Sequence, residues 1–508
     1  MTQTQPITRG DGITTAERYL KQLCDRSFLS LWSYPGVYRD QGRADCRGDG
    51  KEVCDLLVVF NDHILIFSDK DCAFPDTGNR DRDWSRWYRR AVDRSAKQVW
   101  GAERWIKEHP DRLFLDRACT QPFPIDLPDP AAAKFHRIVV AHDASQRCRR
   151  ELGGSGSLMI APDIIGDKHY LSREDGGMPF AIGQIAPAKG FVHVLDDTSL
   201  MIVMSALDTI SDFVSYLSKK EKLIRDGRLA FATGEDDLLA LYLRKINDEG
   251  EHDFVIPPEI DGIFVDEGLW SEFARHPQRQ TQIKADEISY AWDALIEAFS
   301  VHIFAGTQHF TTHPGIRDNE KIVRFLAREP RTRRRMLSRL LHELIYKTSK
   351  QNYRAARVVQ PSRLGDPHYI FLLLSKHEGW TYDEYREVRR ELLGAYCRTV
   401  KLKFPDALDI IGIATETGTD EVRSEDALYY DARVWAEQDR TEAQSVADDL
   451  GLLSDIRQFT GVEYEYPEQP NTSVQAPCGR SGNRMKGRDR NAPCPCGSGM
   501  KYKRCCGR

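Results

Sequence analysis

The sequence contains no apolar run that approaches the roughly 18–20 residues needed to span a bilayer. The first ten residues lack the apolar stretch of a secretory signal, so we expect a cytoplasmic protein. The chain also lacks a G-x-x-x-x-G-K-[ST] phosphate-binding loop, which excludes an ATPase of that type. With 508 residues, 41% of them apolar and 29% charged, it has the composition of several folded domains.

Cysteine and charge are both unevenly distributed. Five of the twelve cysteines lie within the last 31 residues. In a reducing compartment such a cluster indicates a metal site rather than disulfides. From Gly479 to Arg508 there are nine Lys or Arg residues and one acidic residue, a net charge of +8. Because the whole chain carries −5, the other 478 residues carry −13. A basic tail therefore follows an acidic body.

The end of this tail holds two closely spaced cysteine pairs, Cys494-Pro-Cys496 and Cys505-Cys506. Four thiolates suit tetrahedral Zn²⁺. Gly497 and Gly499 allow the chain to reverse between the two pairs. Since so short a segment cannot build an apolar core, zinc would supply its folding free energy. We therefore predict a small zinc module over residues 487–508.

This segment resembles the SEC-C motif, the zinc module found at the C-terminus of the bacterial preprotein translocase ATPase and in many unrelated bacterial proteins. The resemblance implies that Cys494, Cys496, Cys505 and Cys506 are the zinc ligands. The rest of the chain does not resemble the translocase. The basic residues that surround the cysteines are Arg488, Arg490, Lys501, Lys503 and Arg504. They predict an anionic partner, which would be nucleic acid, an acidic protein surface or lipid headgroups. The alternative is that they only solubilise the tail.

The pattern of the remaining chain predicts an α/β protein. We divide it into residues 1–228, residues 229–463, which form a helical and mixed α/β region of unknown role, a linker over 464–486, and the zinc module. The first region has the predicted order helix, strands, helix, strand, and the second contains a βαβ unit followed by a helix. The predicted elements are helices at 14–31, 83–108, 208–223, 381–404 and 436–453, and strands at 53–60, 63–70, 134–141, 368–375 and 409–414.

Asn61-Asp62 between two β-rich runs predicts a tight hairpin. If Phe60 pairs with His63, then Asp55 lies opposite Ser68, and Ser68 and Lys70 share its face. Lys70 is then the diagonal neighbour of Asp55, about 7–8 Å away between α-carbons. A carboxylate, a hydroxyl and an ammonium group are thus expected together at the open end of the hairpin.

This arrangement resembles the PD-(D/E)xK nuclease superfamily over about residues 14–142, and it implies an αβββαβ core around Mg²⁺. Asp55 matches the first acid and Lys70 the lysine, whereas Ser68 stands where a second acid is expected. Serine is a poor Mg²⁺ ligand beside a carboxylate, so another acid has to substitute, and Glu17 on the first helix is the first choice. The further candidates are the acids Glu52, Asp71, Asp93 and Glu103, with Lys97 and Gln98 as residues that would orient water or phosphate.

Two functions remain open from the sequence. The leading hypothesis is a Mg²⁺-dependent nuclease in which Asp55 and a second carboxylate hold the metal and Lys70 positions water. The alternative is an inactive relative of the fold that acts as an adaptor and binds protein or nucleic acid through its zinc tail. Neither DNA nor RNA is favoured as the partner.

Two other clusters leave alternatives open. A group of arginines follows Pro330 and predicts either phosphate contacts or a solvated helical face. The tryptophans of helix 83–108 predict either core packing or a base-stacking platform. The residues concerned are Arg331, Arg333, Arg334, Arg335 and Arg339, and Trp84, Trp87, Trp100 and Trp105.

Overall fold

The computed structural model describes residues 6–41, 50–311, 316–348, 353–363, 365–417, 424–459, 461 and 463–467. These residues form a mixed α/β structure with three mixed sheets, so the predicted fold class is confirmed at that level. The strands are β1 (Ser33–Arg39), β2 (Lys51–Phe60), β3 (His63–Lys70), β4 (Leu113–Phe114), β5 (Lys134–Ala141), β6 (Met159–Ile165), β7 (Ala181–Gln184), β8 (Val192–Leu195), β9 (Leu229–Ala232), β10 (Ile263–Val265), β11 (Arg354–Val359), β12 (His368–Leu374), β13 (Asp409–Glu416) and β14 (Asp426–Asp431).

The helices agree in place with most of the predicted ones. The helix predicted at 83–108 is interrupted by a π-helical turn at Arg89–Asp93. The α-helices are α1 (Thr15–Phe28), α2 (Arg80–Tyr88), α3 (Arg94–Glu108), α4 (Ala144–Leu152), α5 (Asp197–Ala206), α6 (Ile210–Arg225), α7 (Glu235–Leu243), α8 (Leu269–Arg275), α9 (Pro277–Asp286), α10 (Tyr290–Ala305), α11 (Ile316–Ala327), α12 (Arg331–Lys347), α13 (Tyr382–Lys403) and α14 (Glu437–Leu450).

The first sheet has the strand order β4-β1-β2-β3-β5-β8. Strands β1, β2 and β3 form an antiparallel meander, and β3, β5 and β8 run parallel. Helix α1 covers one face, where Leu20 and Phe28 pack against Phe67. Helix α3 covers the other face, where Val99 packs against Ile66. Residues 15–141 therefore follow the order helix, three strands, helices, strand, apart from the two-residue strand β4 at the sheet edge.

The second sheet has the order β10-β9-β6-β7, and its central strands β6 and β9 are antiparallel. Ile160 of β6 pairs with Ala232 of β9, on the other side of position 228, where we divide the first two regions. One apolar cluster also contains residues from both sides of this position. The two regions therefore share a sheet and a core.

The third sheet has the order β11-β12-β13-β14. Strands β12 and β13 are parallel and are joined by α13, so the predicted βαβ unit is confirmed. Leu393 and Cys397 of α13 pack on one face of this sheet. The other face, with Tyr369 and Phe371, packs against Trp292 of α10 in the same cluster that covers the first sheet.

Candidate functional site

The β2–β3 hairpin places the candidate site at its open end. Asn61 has φ +52°, the left-handed conformation that asparagine tolerates in a two-residue turn. Phe60 pairs with His63, and the ladder continues to Leu56 opposite Phe67, so the predicted register is confirmed over these residues. Beyond that pair the carboxylate of Asp55 accepts the backbone N–H of Asp69 at 2.6 Å. The side chain of Asp55 thus binds the facing strand directly where the ladder ends.

The structure brings together four of the side chains that the sequence predicts at this site. Lys70 Nζ lies 3.6 Å from Asp55 Oδ2. Gln98 of α3 connects the others, because its Nε2 donates to Asp55 Oδ1 at 3.5 Å and its Oε1 accepts from Ser68 Oγ at 3.2 Å. Asp55 and Ser68 are buried, whereas the Lys70 side chain is 39% exposed. The cluster is therefore open to solvent on the side of Lys70, and Gln98 is half-buried.

Two acidic side chains at this site, Asp55 and Glu52, have raised pKa values. Burial raises the pKa of Asp55, and the Lys70 ammonium and the Asp69 N–H oppose that rise. Burial also raises the pKa of Glu52 to about 7, and the negative charges of Asp55 and Glu17 add to the effect. Glu52 Oε1 is buried and has no hydrogen-bond partner among the described residues. Glu52 and Glu17 are thus close enough to Asp55 to affect it electrostatically.

The structure places the candidate second carboxylates in different roles. Glu17 Oε2 accepts the backbone N–H of the N-cap residue Thr14 at 3.3 Å, in the capping box that begins α1, and it also accepts the N–H of Ile13 at 2.6 Å. Asp93 pairs with Lys97 at 2.8 Å on the surface of the helix. Asp71 follows β3 and is exposed.

Glu103, the remaining candidate, is also bound elsewhere. It pairs with Arg137 on β5 and with Lys107, and these partners lower its pKa against the effect of burial. In the described parts of the chain, no three His, Cys, Asp or Glu side chains lie close enough together to hold a metal ion. Near Lys70, the hydroxyl of Ser68 lies where the resemblance to the nucleases predicts an acid, and it donates to Gln98.

The residues of the hairpin therefore do not fit Mg²⁺, which requires hard anionic oxygens in near-octahedral geometry. Among the described residues, Asp55 is the carboxylate that pairs with Lys70, and both of its oxygens accept from protein donors. The site differs from a Mg²⁺ site in its ligands, because the neutral hydroxyl of Ser68 stands where a carboxylate would be required.

A second polar cluster at the same edge of the sheet escapes the sequence analysis. His142 Nε2 lies 2.7 Å from Asp69 Oδ1, and His142 Nδ1 lies 2.6 Å from Asp197 Oδ1. Burial alone would lower the pKa of His142, but these two hydrogen bonds and the two negative charges raise it to about 10. The carboxyl ends of the parallel strands β3, β5 and β8 supply the three residues. Only the sheet order, which the sequence does not reveal, brings them together.

The arginine cluster on α12 lies in the interior, so both a phosphate-binding role and a solvated face are wrong for its main members. Arg334 is fully buried, and Arg331 is 8% exposed. Both bind Asp293, Arg334 at 2.7 Å and Arg331 at 2.8 Å. Arg331 also binds Asp208 at 2.8 Å. A buried charge is tolerated when it is paired in this way, so the cluster is a structural ion-pair network.

Two tryptophans of the predicted helix 83–108 settle in the core. Trp84 and Trp87 are fully buried, and their indole N–H groups donate to the backbone oxygens of His169 and His142, each at 3.0 Å. Core packing is therefore confirmed for these two residues, and a base-stacking role is wrong for them.

The predicted zinc ligands and the basic residues around them lie outside the described residues. The beginning of the predicted linker is described, and it packs onto the body. Arg335 of α12 donates to the backbone oxygen of Tyr464 at 2.5 Å. The ring of Tyr466 lies 6.0 Å from that of His252. The first residues of the predicted linker are therefore bound to the body of the protein beside α12.

Comparisons with known proteins identify one feature of the chain. The SEC-C motif matches residues 490–508, which contain the four predicted zinc ligands. No curated protein and no solved structure matches the chain. Within the described residues, no helix combines the length and the apolar character that crossing a membrane requires.

Proposed function

We propose that the protein is a non-catalytic adaptor. In this proposal the αβββαβ core of the first region is that of the PD-(D/E)xK nucleases, retained as a scaffold, and the SEC-C tail binds an anionic partner. The single observation that carries the proposal is the hydrogen bond from Ser68 Oγ to Gln98 Oε1. It supports the view that an uncharged hydroxyl, bonded to an amide, stands at the position where metal-dependent hydrolysis needs a second carboxylate.

The remaining acids near Asp55 support the same conclusion. With a pKa of about 7, Glu52 carries its proton for much of the time at neutral pH, and it would have to lose it to bind a cation. Glu17 would have to give up the capping of α1, which contributes about 1 kcal/mol to helix stability. These two substitutes for an acid at position 68 therefore each have a cost that an acid at that position would not have.

A Mg²⁺-dependent phosphodiesterase is the second candidate function. It is favoured by the convergence of Asp55, Lys70 and Gln98 at one end of the hairpin. It is also favoured by Glu52 Oε1, which has no hydrogen-bond partner among the described residues and would be available to a cation once Glu52 is ionised. Under this alternative Lys70 would position the attacking water and offset the developing negative charge.

The tail supplies the binding function of the proposed adaptor. Cys494, Cys496, Cys505 and Cys506 offer the four thiolates of a structural zinc site. When bound, zinc would fold the segment and present the basic residues around it on a rigid surface. An acidic protein surface and a nucleic acid both fit that charge.

Hydrolysis is tested by incubating the full chain with plasmid DNA, linear DNA and RNA in the presence of Mg²⁺ or Mn²⁺. We expect no more cleavage from the wild-type chain than from its Asp55→Asn and Lys70→Ala variants. Cleavage that requires a divalent cation and is lost in both variants would refute the adaptor and establish the phosphodiesterase.

The tail is tested separately by metal analysis and by retention on heparin. We expect about one zinc ion per full chain and none after truncation at Gly487. The variant Lys501→Ala/Lys503→Ala/Arg504→Ala should keep its zinc and elute from heparin at lower salt than the wild-type chain. Equal zinc content in the full and truncated chains would refute the zinc site, and unchanged retention would refute the anionic partner.

A further inference from the structure

The helical segment from Arg80 to Glu108 exposes a continuous row of basic side chains. Eight cationic residues of this segment are exposed, whereas Glu108 is its one exposed acid. This is a marked local excess on a body that is acidic as a whole. We call this row the basic ridge, and its members are Arg82, Arg86, Arg89, Arg90, Arg94, Lys97, Arg104 and Lys107.

The helix geometry places these side chains on one face. Their spacing of three or four residues follows the helical repeat, and the one gap of seven, between Lys97 and Arg104, is two turns. The π-helical turn at Arg89–Asp93 adds one residue within the row, where both Arg89 and Arg90 are exposed. At 1.5 Å per residue the ridge is about 37 Å long.

Several members of the ridge have no partner in the described part of the chain. Among the described residues, the side chains of Arg86, Arg94 and Arg104 form no hydrogen bond, ion pair or ring contact. Asp93 pairs with Lys97, and Glu103 pairs with Lys107. These two ion pairs involve only the lysines of the ridge and leave Arg86, Arg94 and Arg104 without an ion-pair partner among the described residues.

The form of the ridge favours a phosphate backbone over a membrane surface. A helix that lies on a membrane needs large apolar side chains beside its basic ones. Between Tyr19 and Leu152, no described large apolar residue is exposed. Arginine, which makes up six of the eight positions, binds phosphate oxygens in pairs through its planar guanidinium group.

The gap in the row leaves room for close approach of a partner. Gly101 lies between Lys97 and Arg104, and a Cβ atom added there would meet nothing within 4 Å. Packing inside the protein therefore does not require glycine at this position. The bare backbone lets an extended partner lie against the helix between the flanking cations.

We propose that the basic ridge binds the phosphate backbone of duplex nucleic acid without reading its sequence. A duplex presents phosphates every 3.4 Å or so along each strand, so about ten on one strand span the length of the ridge. The inference goes beyond the proposed function, because the ridge belongs to α2 and α3 and not to the tail. The protein would then hold a duplex on its body while the tail binds a partner.

The first test measures binding of the full chain to labelled DNA and RNA duplexes by fluorescence anisotropy across a range of salt concentrations. The ridge variant is Arg86→Ala/Arg94→Ala/Arg104→Ala. Its matched control, Arg275→Ala/Arg440→Ala/Arg457→Ala, removes three exposed arginines elsewhere and changes the net charge equally. We expect at least tenfold weaker binding for the ridge variant and a slope of log K against log salt that is smaller by about two to three.

A second pair of variants guards against misfolding. Gly101→Glu and Gly101→Gln have the same size, and neither meets a neighbour at Cβ. Both should fold and both should weaken binding by filling the gap, and the glutamate should weaken it more because its charge also repels phosphate.

Three results would overturn the inference. The first is equal duplex binding by the ridge variant and its control. The second is binding that depends only on the tail, so that truncation at Gly487 abolishes it while the ridge variant retains it. The third is a ridge that binds phosphatidylserine vesicles and not duplexes. Failure of the tail to bind a partner would leave the inference intact, so the two proposals can be separated.

Discussion

Replacing Ser68 with aspartate should create a Mg²⁺ site at the open end of the hairpin, where the wild-type residues do not fit this ion. Ser68 is fully buried, and on β3 it lies on the same face as Lys70. The substitution removes the hydroxyl that donates to Gln98 and introduces a second carboxylate beside Asp55. The amide of Gln98 can then donate to either acid.

Without metal, the added charge should destabilise the fold. Two carboxylates about 4 Å apart repel by about 4 kcal/mol at an effective dielectric constant of 20. Lys70, 3.6 Å from Asp55, offsets part of this repulsion, although its side chain is 39% exposed. A raised pKa of the pair removes a further part, because one of the acids retains a proton. We therefore expect a net loss of about 1–3 kcal/mol.

Mg²⁺ should restore stability to the aspartate variant alone. At a concentration ten times its Kd, a ligand that binds only the folded state adds about 1.4 kcal/mol to the free energy of unfolding. The measurement is urea unfolding with and without 10 mM Mg²⁺, followed by tryptophan fluorescence. Ser68→Asn serves as the uncharged control of the same size. If Mg²⁺ stabilises the asparagine variant or the wild-type chain as much as Ser68→Asp, the account of the donor set is refuted.

Three further variants test the buried charges. Arg334→Met should lower the free energy of unfolding by about 3–5 kcal/mol, because it leaves part of the charge of Asp293 and two backbone oxygens unsatisfied. The control Arg339→Met, at a side chain that is 45% exposed, should lower it by less than about 1 kcal/mol. Equal losses in the two variants would contradict a stabilising role of the buried ion-pair network. His142→Gln should remove a pH dependence. The pKa of His142 rises from 6.5 to about 10 on folding, so its contribution to stability is complete below pH 6.5 and is lost as the pH rises through 10. A difference in the free energy of unfolding between variant and wild type that stays constant from pH 6 to 10 would refute this. Glu52→Gln should raise stability above pH 7 and leave it unchanged below pH 4.5, because burial raises the pKa of Glu52 from 4.5 to about 7 and disfavours its ionised form in the fold; equal gains at pH 4 and pH 8 would show another cause.

The hairpin could be predicted because its determinants are local. Alternation of side chains and the Asn61-Asp62 turn fix the register, and the register places Asp55, Ser68 and Lys70 on one face. Strand β1, which completes the meander, was not predicted, because Pro35 and Gly36 interrupt the β-rich pattern of its seven residues.

The burial of the arginine cluster on α12 could not be predicted from the sequence, for a different reason. Its acidic partners lie far away in sequence, Asp208 on the α5–α6 connection and Asp293 on α10. A run of basic residues has the same local pattern whether it faces solvent or buried acids, so only the tertiary fold distinguishes the two. The His142 cluster follows the same rule, since its two carboxylates come from the ends of other strands.

The central claim is that the hairpin site does not hold Mg²⁺, and calorimetric titration of the full chain with Mg²⁺ at pH 8 tests it most directly. At this pH Glu52, with a pKa of about 7, is largely ionised, so the site has its best opportunity to bind a cation. We expect the wild-type chain and Asp55→Asn to give the same heats. A saturable one-site isotherm that is present in the wild type and absent from Asp55→Asn would contradict the claim.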